Sequence, residues 1–265
     1  MDLGLKDRVA LIGGSSRGLG KAIATSFAQE GANVSISART DADLRRTEIE
    51  LARFGSQQHI LAIPADLSVA RDIRRVVRDT FNRFGQIGIL VTHMGYGSPG
   101  RPSEISDETI MTALEENFLS SVRLTREVIP YMKQQHWGRI VHLLPSLDRR
   151  SPNGKPLSIT SQLALIGYSK MLSNELAPFN ITVNNLISGP VETNFLTSTI
   201  ESESHESGKS FDDLMRDTIT SIPIGRLGRP EEVGDLVAFL ASERASFMTG
   251  SSVILDGGMR QQTIS

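Results

Sequence analysis

The stretch Val9-Ala-Leu-Ile12, followed directly by Gly13-Gly-Ser-Ser-Arg-Gly-Leu-Gly20, decides the fold. An apolar run of strand length ends in a turn with glycines at 14, 18 and 20, and residues 21–29 after it have a helical pattern. Strand, turn and helix in this order let backbone N–H groups and the positive end of the helix approach a pyrophosphate. The stretch therefore predicts a nucleotide-binding turn, and the alternative is a plain strand-to-helix connection.

Outward from this turn, short apolar runs alternate with stretches of helix length. The further predicted strands are residues 34–36, 60–63, 87–92, 139–144, 181–187 and 252–255, and the further predicted helices are 41–54, 69–84, 106–135, 156–176 and 230–240. Repeated strand-then-helix order is typical of a parallel sheet with helices on both faces. Since the chain has no linker, repeat or composition break, we predict an α/β fold in which residues 1–265 form a single domain around a doubly wound, mostly seven-stranded parallel sheet.

The composition excludes several classes of protein. Twenty-eight basic and 30 acidic side chains give a net charge of -2, which disfavours a nucleic-acid partner. The chain has no cysteine, so disulfides, thiolate metal sites and cysteine nucleophiles are excluded, and we predict no metal site. No apolar run approaches the roughly 18 residues of a membrane span, and the amino terminus lacks the order of a signal peptide. We expect a cytoplasmic protein without a membrane partner.

Five motifs are similar to those of one protein family. They are the glycine turn, residues 85–95 with Thr92-His-Met-Gly95 in place of the family's Asn-Asn-Ala-Gly, Gly189-Pro-Val-Glu-Thr193, residues 223–233 and residues 249–258. On these motifs the chain resembles the short-chain dehydrogenase/reductase family over essentially its whole length, closest to members that resemble 3-oxoacyl-carrier-protein reductases. The resemblance implies a Rossmann fold and a nicotinamide-dependent oxidoreductase that acts on a carbonyl or alcohol of a small, 3-oxoacyl-like molecule.

The resemblance also implies cofactor-binding residues. In the family an NAD-selective acid lies 18 residues beyond the last glycine of the turn, where this chain has Ala38 followed by Arg39. Arg39 and Arg17 can pair with phosphate oxygens, which favours NADP(H) over NAD(H), with solvated surface arginines as the alternative. Asp66 resembles the acid that binds the adenine amino group, or it caps the next helix. The implied set is Gly14, Ser16, Arg17, Gly18, Leu19, Gly20, Arg39, Asp66, Leu67, Gly95, Gly189, Val191 and Thr193.

The family's catalytic residues are mostly replaced in this chain. Counted from Gly95, the Asn position falls on Asn117, the Ser position on Pro145 with Ser146 beside it, the Tyr position on Ser158 and the Lys position on Gln162. A Ser hydroxyl is a far weaker acid than a phenol. Gln162 carries no positive charge that would lower the pKa of the Ser158 hydroxyl. Ser146 could still hold a carbonyl and Gln162 a ribose hydroxyl, but neither replaces a general acid.

Four other side chains are candidate proton donors. His93 and Tyr96 follow the fourth predicted strand, and ligands bind outside the carboxyl ends of strands in such sheets. Asp148 and Lys155 lie on the loop after the fifth strand. For each of them the alternative is a charged loop side chain that lies in solvent and has no part in the site. The predicted catalytic residues are Asn117, Ser146, Ser158, Gln162 and His93.

Three further titratable residues are expected to lie outside the site. Tyr168 and Lys170 are only two residues apart on a predicted helix, so they point in very different directions. His142 lies three residues before Pro145 in a predicted strand, so its side chain faces the other side of the sheet and is expected to pack there.

Three functions fit this sequence. The first is an NADP(H)-dependent oxidoreductase with a surrogate acid, the second a non-redox isomerase, lyase or cyclase that retains the dinucleotide site, and the third a nucleotide-binding sensor or structural subunit without turnover. Residues 197–210, rich in Ser, Thr and Glu, form a mobile lid or a weakly ordered insertion. By resemblance, residues 194–222 cover the substrate. Resemblance also implies a homodimer through helices around 117–135 and 156–176, or a homotetramer that adds the C-terminal strand and helix.

Overall fold

The computed structural model of the protein describes residues 1–93, 100–145 and 156–260. Seven strands form one parallel sheet in the order β3-β2-β1-β4-β5-β6-β7. The predicted strands are confirmed, with ends that differ by one or two residues. They are β1 (Val9–Gly13), β2 (Asn33–Ala38), β3 (Ile60–Pro64), β4 (Ile89–His93), β5 (Gly138–Pro145), β6 (Ile181–Ser188) and β7 (Ser252–Leu255).

Helices cover both faces of this sheet, as predicted. They are α1 (Gly18–Gln29), α2 (Asp41–Leu51), α3 (Ala70–Phe84), α4 (Asp107–Ala113), α5 (Ser120–Gln134), α6 (Pro156–Leu176), α7 (Asn194–Ser207), α8 (Phe211–Thr220) and α9 (Pro230–Leu240). Neighbouring residues of β1 show the two layers. Ile12 packs in the cluster that contains α1, α2 and α9, and Leu11 packs in the cluster that contains α3, α5 and α6. Strands buried on both faces explain why the apolar runs are continuous rather than alternating.

The strand order reverses between β1 and β4. From β1 the chain continues through β2 to β3 on one side, and from β4 it continues through β5 and β6 to β7 on the other. Helices that follow β1 and β4 therefore pack on opposite faces, and a crevice opens between the carboxyl ends of these two strands. The last residues of the two strands are Gly13 and His93.

The helix predicted over residues 106–135 is interrupted. α4 ends at Ala113, a π-helical turn covers Leu114–Leu119, and α5 begins at Ser120. Such turns insert one extra residue into a helix and are frequent at functional sites. Asn117 lies in this turn and is 3% exposed.

The weakly ordered insertion considered for residues 197–210 is not what the structure shows, because residues 197–207 belong to α7 and residues 208–210 lead directly into α8. Hydroxyl groups cap both helices. Thr193 Oγ1 accepts a hydrogen bond from the Leu196 N–H (3.3 Å), and Ser210 Oγ accepts one from the Asp213 N–H (3.1 Å). Ser210, one of the polar residues that suggested an irregular segment, thus starts a helix.

A fully buried arginine ties the start of β5 to the segment after α9. The Arg139 guanidinium donates to the carbonyl oxygens of Gly138 (2.8 Å) and Asn180 (3.1 Å) and lies 3.5 Å from Glu243 Oε2. It lies over the Trp137 ring, whose Nε1 donates to Glu243 Oε1 (2.7 Å). Burial lowers the pKa of Arg139, and the Glu243 carboxylate opposes that shift.

Candidate cofactor cleft and active site

A cleft of ≈ 1620 Å³ runs along the carboxyl edge of the sheet, where the strand order reverses. Its wall contains the turn after β1, the segments after β2 and β3, the π turn, the end of β5, the start of α6, and the segment from the end of β6 into α7. Among the predicted cofactor residues, those that line it are Gly14, Ser16, Arg17, Gly18, Leu19, Arg39, Asp66, Leu67, Gly189, Val191 and Thr193.

The glycine turn is shaped by close backbone packing. Gly14 has a φ of +67°, which other residues rarely adopt, and a Cβ on Gly20 would overlap the Gly14 carbonyl oxygen. Gly20 therefore lets α1 pack closely onto the turn. Gly20 itself does not line the cleft. The turn is also fixed from outside, because Ser15 Oγ accepts a hydrogen bond from the Ser37 N–H (3.0 Å) and Thr47 Oγ1 donates to the Ser16 carbonyl (2.8 Å).

The first turn of α1 faces the cleft without a side-chain cap. Its N-cap residue, Arg17, has extended backbone angles and makes no side-chain capping hydrogen bond. Helix N-termini carry backbone N–H groups without intrahelical partners together with the positive end of the helix dipole. This arrangement suits a phosphate group.

Basic side chains line the cleft beside β2. Ala38 is the last residue of β2, and Arg17, Arg39 and Arg46 line the wall around it. Arg46, on α2, is a residue that the sequence analysis missed. The adjacent Arg45 pairs with Glu48 (3.0 Å) and does not line the cleft. Only the observed orientation of α2 separates these two arginines, so the sequence carries no signal for the choice.

Asp66 lines the cleft and also holds the turn that leads into α3. Its Oδ1 accepts hydrogen bonds from the Ser68 N–H (2.9 Å) and the Ser68 hydroxyl (2.7 Å), and its side chain lines the cleft. These bonds, helped by the nearby Arg39 charge, lower the pKa of the Asp66 carboxyl. The carboxylate holds the turn before α3, although the N-cap residue itself is Val69.

His93 lies beside the glycine turn. A Cβ placed on Gly14 would be 3.5 Å from His93 Nδ1. The imidazole is exposed to the cleft, and desolvation by the neighbouring protein lowers its pKa to about 4. At neutral pH the ring is therefore uncharged and can form hydrogen bonds without acting as a cationic proton donor.

The other end of the cleft has a neutral, mixed surface. Asn117, Pro145 and Ser158 line it, and Ser158 is 5% exposed. Gln162 lies one turn further along α6, is fully buried, and donates from Nε2 to the Pro145 carbonyl oxygen. Gln162 Oε1 is buried with no hydrogen-bond partner. The structure thus groups Asn117, Ser158 and Gln162, as the predicted register requires.

The segment after β6 forms the opposite wall. A Cβ on Gly189 would lie 2.7 Å from Asp256 Cα, so only glycine fits this approach. Val191 pairs with Gly228 in a short parallel bridge, and Thr193 starts α7. All three line the cleft, so α7 begins directly at its edge.

Tyr168, Lys170 and His142 lie outside the cleft lining, as predicted. Tyr168 packs edge-on against Phe118 with ring centroids 6.3 Å apart, and burial raises its pKa. His142 is fully buried with Nδ1 2.7 Å from Thr92 Oγ1, and burial lowers its pKa to about 4. The further predicted site residues Gly95 and Ser146, and the candidates Tyr96, Asp148 and Lys155, lie outside the described residues.

In the ranges 1–93, 100–145 and 156–260, no group of three or more His, Cys, Asp or Glu side chains could hold a metal ion. Over the same part of the chain, the helices are too short or too polar to cross a membrane.

Comparison with known proteins gives matches over nearly the whole chain. Residues 14–260 match the family model described as enoyl-(acyl carrier protein) reductase. The chain is 33% identical to an uncharacterized oxidoreductase, YvrD, of Bacillus subtilis, covering 98% of each chain. It is 31% identical to the 3-oxoacyl-[acyl-carrier-protein] reductase FabG of Aquifex aeolicus, covering 98% of this chain and all of the relative.

Solved structures agree with these sequence matches. The L-sorbose reductase of Gluconobacter frateurii, solved in complex with NADPH and L-sorbose, superposes with a TM-score of 0.92 at 31% identity, over 99% of this chain and 100% of that one. An actinorhodin polyketide ketoreductase variant solved with NADPH has a TM-score of 0.89 at 29% identity, over 97% and 98% of the two chains. The sheet order, the glycine turn and these matches together show that this chain belongs to the short-chain dehydrogenase/reductase family.

Proposed function

We propose that this chain is an NADP(H)-dependent oxidoreductase that acts on a small molecule. The observation that carries the proposal is the charge of the cleft beside β2. Ala38 ends the strand where an acid would repel a 2′-phosphate, and Arg17 and Arg39 line the wall next to it. Neither arginine forms an ion pair within the described part of the chain, so both can pair with phosphate oxygens. The NADPH complexes of the two structural relatives support this choice.

The chain's own groups fit a dinucleotide along the cleft. The uncapped N–H groups at the start of α1 suit the pyrophosphate, Arg17 and Arg39 the 2′-phosphate, and Asp66 the adenine amino group. Gly95, Gly189, Val191 and Thr193 complete the proposed set. When bound, the nicotinamide supplies a hydride.

The substrate would react at the neutral end of the cleft. There Asn117 and Ser158 offer hydrogen bonds to a polar group, and Gln162 fixes the end of β5 beneath them. Ser146, next to Pro145, is proposed to hold a carbonyl, and His93 to act as a neutral hydrogen-bonding group. A 3-oxoacyl-like carbonyl compound is the first substrate class to test.

A second candidate function is a nucleotide-binding sensor or structural subunit without turnover. The same neutral surface favours this second candidate. None of the side chains of Asn117, Ser158 and Gln162 gives up a proton near neutral pH. Turnover with any substrate would exclude this candidate.

The remaining predictions concern the surroundings of the site. We propose residues 194–222 as the substrate lid, because α7 starts at the cleft edge and Phe195, Leu196 and Ile200 line the cavity. We also propose a homodimer or homotetramer. The helix α6 exposes two large apolar side chains, Leu163 (57%) and Met171 (72%). A cytoplasmic location stays a prediction from the sequence.

Isothermal titration of nucleotide-stripped protein with NADPH, NADP⁺ and NADH tests the cofactor proposal. Micromolar NADPH binding and at least tenfold weaker NADH binding are expected, a difference of about 1.4 kcal/mol. Equal binding of NADPH and NADH would remove the role of the arginines, and binding of neither would remove the proposed function. A screen of carbonyl compounds at 340 nm then tests turnover.

A further inference from the structure

His93 lies opposite the glycine turn at the carboxyl edge of the sheet. In the pairing of β1 with β4, Ile12 stands beside Val91, and continuing this register by two residues places Gly14 beside His93. A Cβ on Gly14 would be 3.5 Å from His93 Nδ1 and 3.7 Å from His93 Cβ. Because Gly14 has no side chain, a group that lies over the backbone of the turn comes within reach of the imidazole.

The sheet order separates His93 from the arginine beside β2. Since β1 lies between β2 and β4, Arg39 follows one neighbour of β1 and His93 ends the other. The 2′-phosphate is proposed to lie beside Arg39, and the pyrophosphate over the turn and the start of α1. His93 therefore faces the pyrophosphate, from the β4 side of the turn.

The end of β4 is held in place from the other face of the sheet. Successive side chains of a strand point to opposite faces, and Thr92, the residue before His93, has its Oγ1 2.7 Å from Nδ1 of the buried His142. In the sheet register Leu143 of β5 stands beside His93. With its strand fixed in this way, the imidazole stays beside the turn.

Charged side chains on the neighbouring elements also line this part of the cleft. They come from the turn and α1, the segment after β3, the π turn and the segment after β6, and they are Arg17, Lys21, Asp66, Glu116 and Glu192. The other charged residues of the described wall belong to α2, α7, α9 and the segment after β2. Residues 94–99 and 146–155, outside the described ranges, contain Tyr, Asp, Arg and Lys but no histidine. Histidine is the one of these residue types that ordinarily changes its charge between pH 5.5 and 7.5.

We propose that His93 is a cofactor-binding residue that becomes cationic against the pyrophosphate, so that binding of the dinucleotide takes up a proton from solvent. This inference rests on the proposed NADP(H)-dependent function. In the free protein, desolvation keeps the imidazole neutral, with a pKa of about 4. The negative charges of the pyrophosphate favour the cationic form of the ring and raise this pKa in the complex.

The affinity for the dinucleotide should therefore increase as the pH falls. The contribution of His93 is complete below the pKa in the free protein, about 4, and is lost as the pH rises through the higher pKa in the complex. Between these two values the affinity changes by up to about tenfold per pH unit. A 2′-phosphate also takes up a proton in this range, near pH 6. NAD⁺, which lacks the 2′-phosphate, separates the two groups.

Calorimetry measures the proton uptake. NADP⁺ and NAD⁺ are each titrated into the whole, nucleotide-stripped protein between pH 5.5 and 7.5, in two buffers that differ in their enthalpy of ionisation. With both cofactors the wild type should take up more protons at pH 5.5 than His93→Asn, whose amide keeps a hydrogen-bonding group without the charge. The ratio of wild-type affinity to variant affinity should rise at least fivefold from pH 7.5 to pH 5.5. His205→Asn, exposed on α7 and outside the cleft lining, is the matched control and should behave as the wild type.

Equal pH dependence of the wild type and His93→Asn would overturn the inference. So would a difference that appears with NADP⁺ and not with NAD⁺, because it would place the proton at the 2′-phosphate. In either case the cofactor binds and the proposed function stands. If neither cofactor binds, both fail.

Proton NMR of the histidine rings gives a readout that does not depend on affinity. The His93 signal, identified by its loss in His93→Asn, should not titrate between pH 5.5 and 7.5 in the free protein and should titrate in this range with saturating NAD⁺. His142 is an internal control, because burial also lowers its pKa to about 4 but its side chain lies on the other face of the sheet. Its signal should titrate in neither state. A His93 signal that NAD⁺ leaves unchanged would contradict the proposed contact.

Discussion

The side-chain amide of Gln162 donates a hydrogen bond to the carbonyl oxygen of Pro145 and so joins α6 to the end of β5. By the register counted from the sequence, the two residues fall on the family's Lys and Ser positions, and the contact between them involves no charge and no hydroxyl group. It keeps the start of α6 against the sheet and fixes Ser158, one turn earlier, at the cleft surface. In the described part of the site, a neutral hydrogen bond therefore joins the helix to the sheet.

Restoring the missing pair should restore an acid. In Ser158→Tyr/Gln162→Lys, a phenol one turn from an ammonium group regains a lowered pKa, and reduction of 1-tetralone should rise about 100-fold over the wild type. Ser158→Tyr/Leu163→Lys places the lysine on the exposed side of α6 instead and should give no such gain. An equal gain in both variants, measured at 340 nm, would show that the phenol acts without the lysine.

The arginines beside β2 should differ in their effect on cofactor affinity. Arg39→Gln is expected to weaken NADPH binding at least tenfold and to leave NADH binding unchanged, because only NADPH carries the 2′-phosphate. Arg46→Gln should weaken NADPH binding about threefold, since a charge-assisted hydrogen bond in solvent contributes less than a buried one. Arg45→Gln is the matched control on the same helix. Titration calorimetry at two salt concentrations measures all three, and an effect of Arg45 equal to that of Arg46 would contradict the assignment.

The contact between Arg139 and Glu243 should contribute to stability. Glu243→Ala removes the acceptor of Trp137 Nε1 and the carboxylate next to a fully buried guanidinium. Arg139 keeps its backbone acceptors, the carbonyl oxygens of Gly138, Asn180 and Ser242. We therefore expect the free energy of unfolding to fall by about 2 kcal/mol, which is less than the cost of leaving a buried charge with no partner. Urea unfolding measures it. Glu108→Ala, on the exposed face of α4, should change stability by less than about 0.5 kcal/mol.

Buried His142 should make the protein sensitive to acid. In the folded protein the pKa of His142 is about 4, below the ordinary histidine value of 6.5, so the unfolded state takes up the proton first as the pH falls. The stability that the neutral ring contributes is complete above pH 6.5 and is lost as the pH falls towards 4. In His142→Asn the amide can replace Nδ1 as the partner of Thr92. The free energy of unfolding of this variant should change less with pH, by up to about 1.4 kcal/mol per pH unit. Urea unfolding at pH 7, 6 and 5 tests this, with the exposed His205→Asn as control.

The exposed apolar side of α6 should be covered by a second copy of the chain. Sedimentation of the wild type is expected to give at least twice the chain mass of 28.9 kDa. Leu163→Glu/Met171→Glu should sediment as a monomer, because four buried carboxylates across a symmetric interface repel each other. Ile49→Glu, an exposed apolar residue on α2, should leave the assembly unchanged. A monomeric wild type would contradict the proposal.

The strands could be predicted from the sequence because parallel strands buried on both faces have continuous apolar runs. Most of the helices could be predicted because their apolar residues recur at helical spacing. The glycine turn was equally readable, since Gly14 and Gly20 are fixed by backbone geometry that other residues do not allow. Three features were not readable. The π turn leaves the apolar pattern on both sides intact, Arg46 differs from Arg45 only by orientation, and α7 is a polar helix with a single buried residue, Ile200. Polar helices of this kind carry no periodic signal.

The orientation of Asn117 toward the cleft is set by the π turn at Leu114–Leu119 and not by the sheet on which the helices pack. Deleting one residue there would return the chain to a regular helix, with α4 and α5 in the same register against the sheet. The amide of Asn117 would then rotate away from the cleft. The position of Asn117 at the cleft surface therefore depends on the one residue by which this turn exceeds a regular helix.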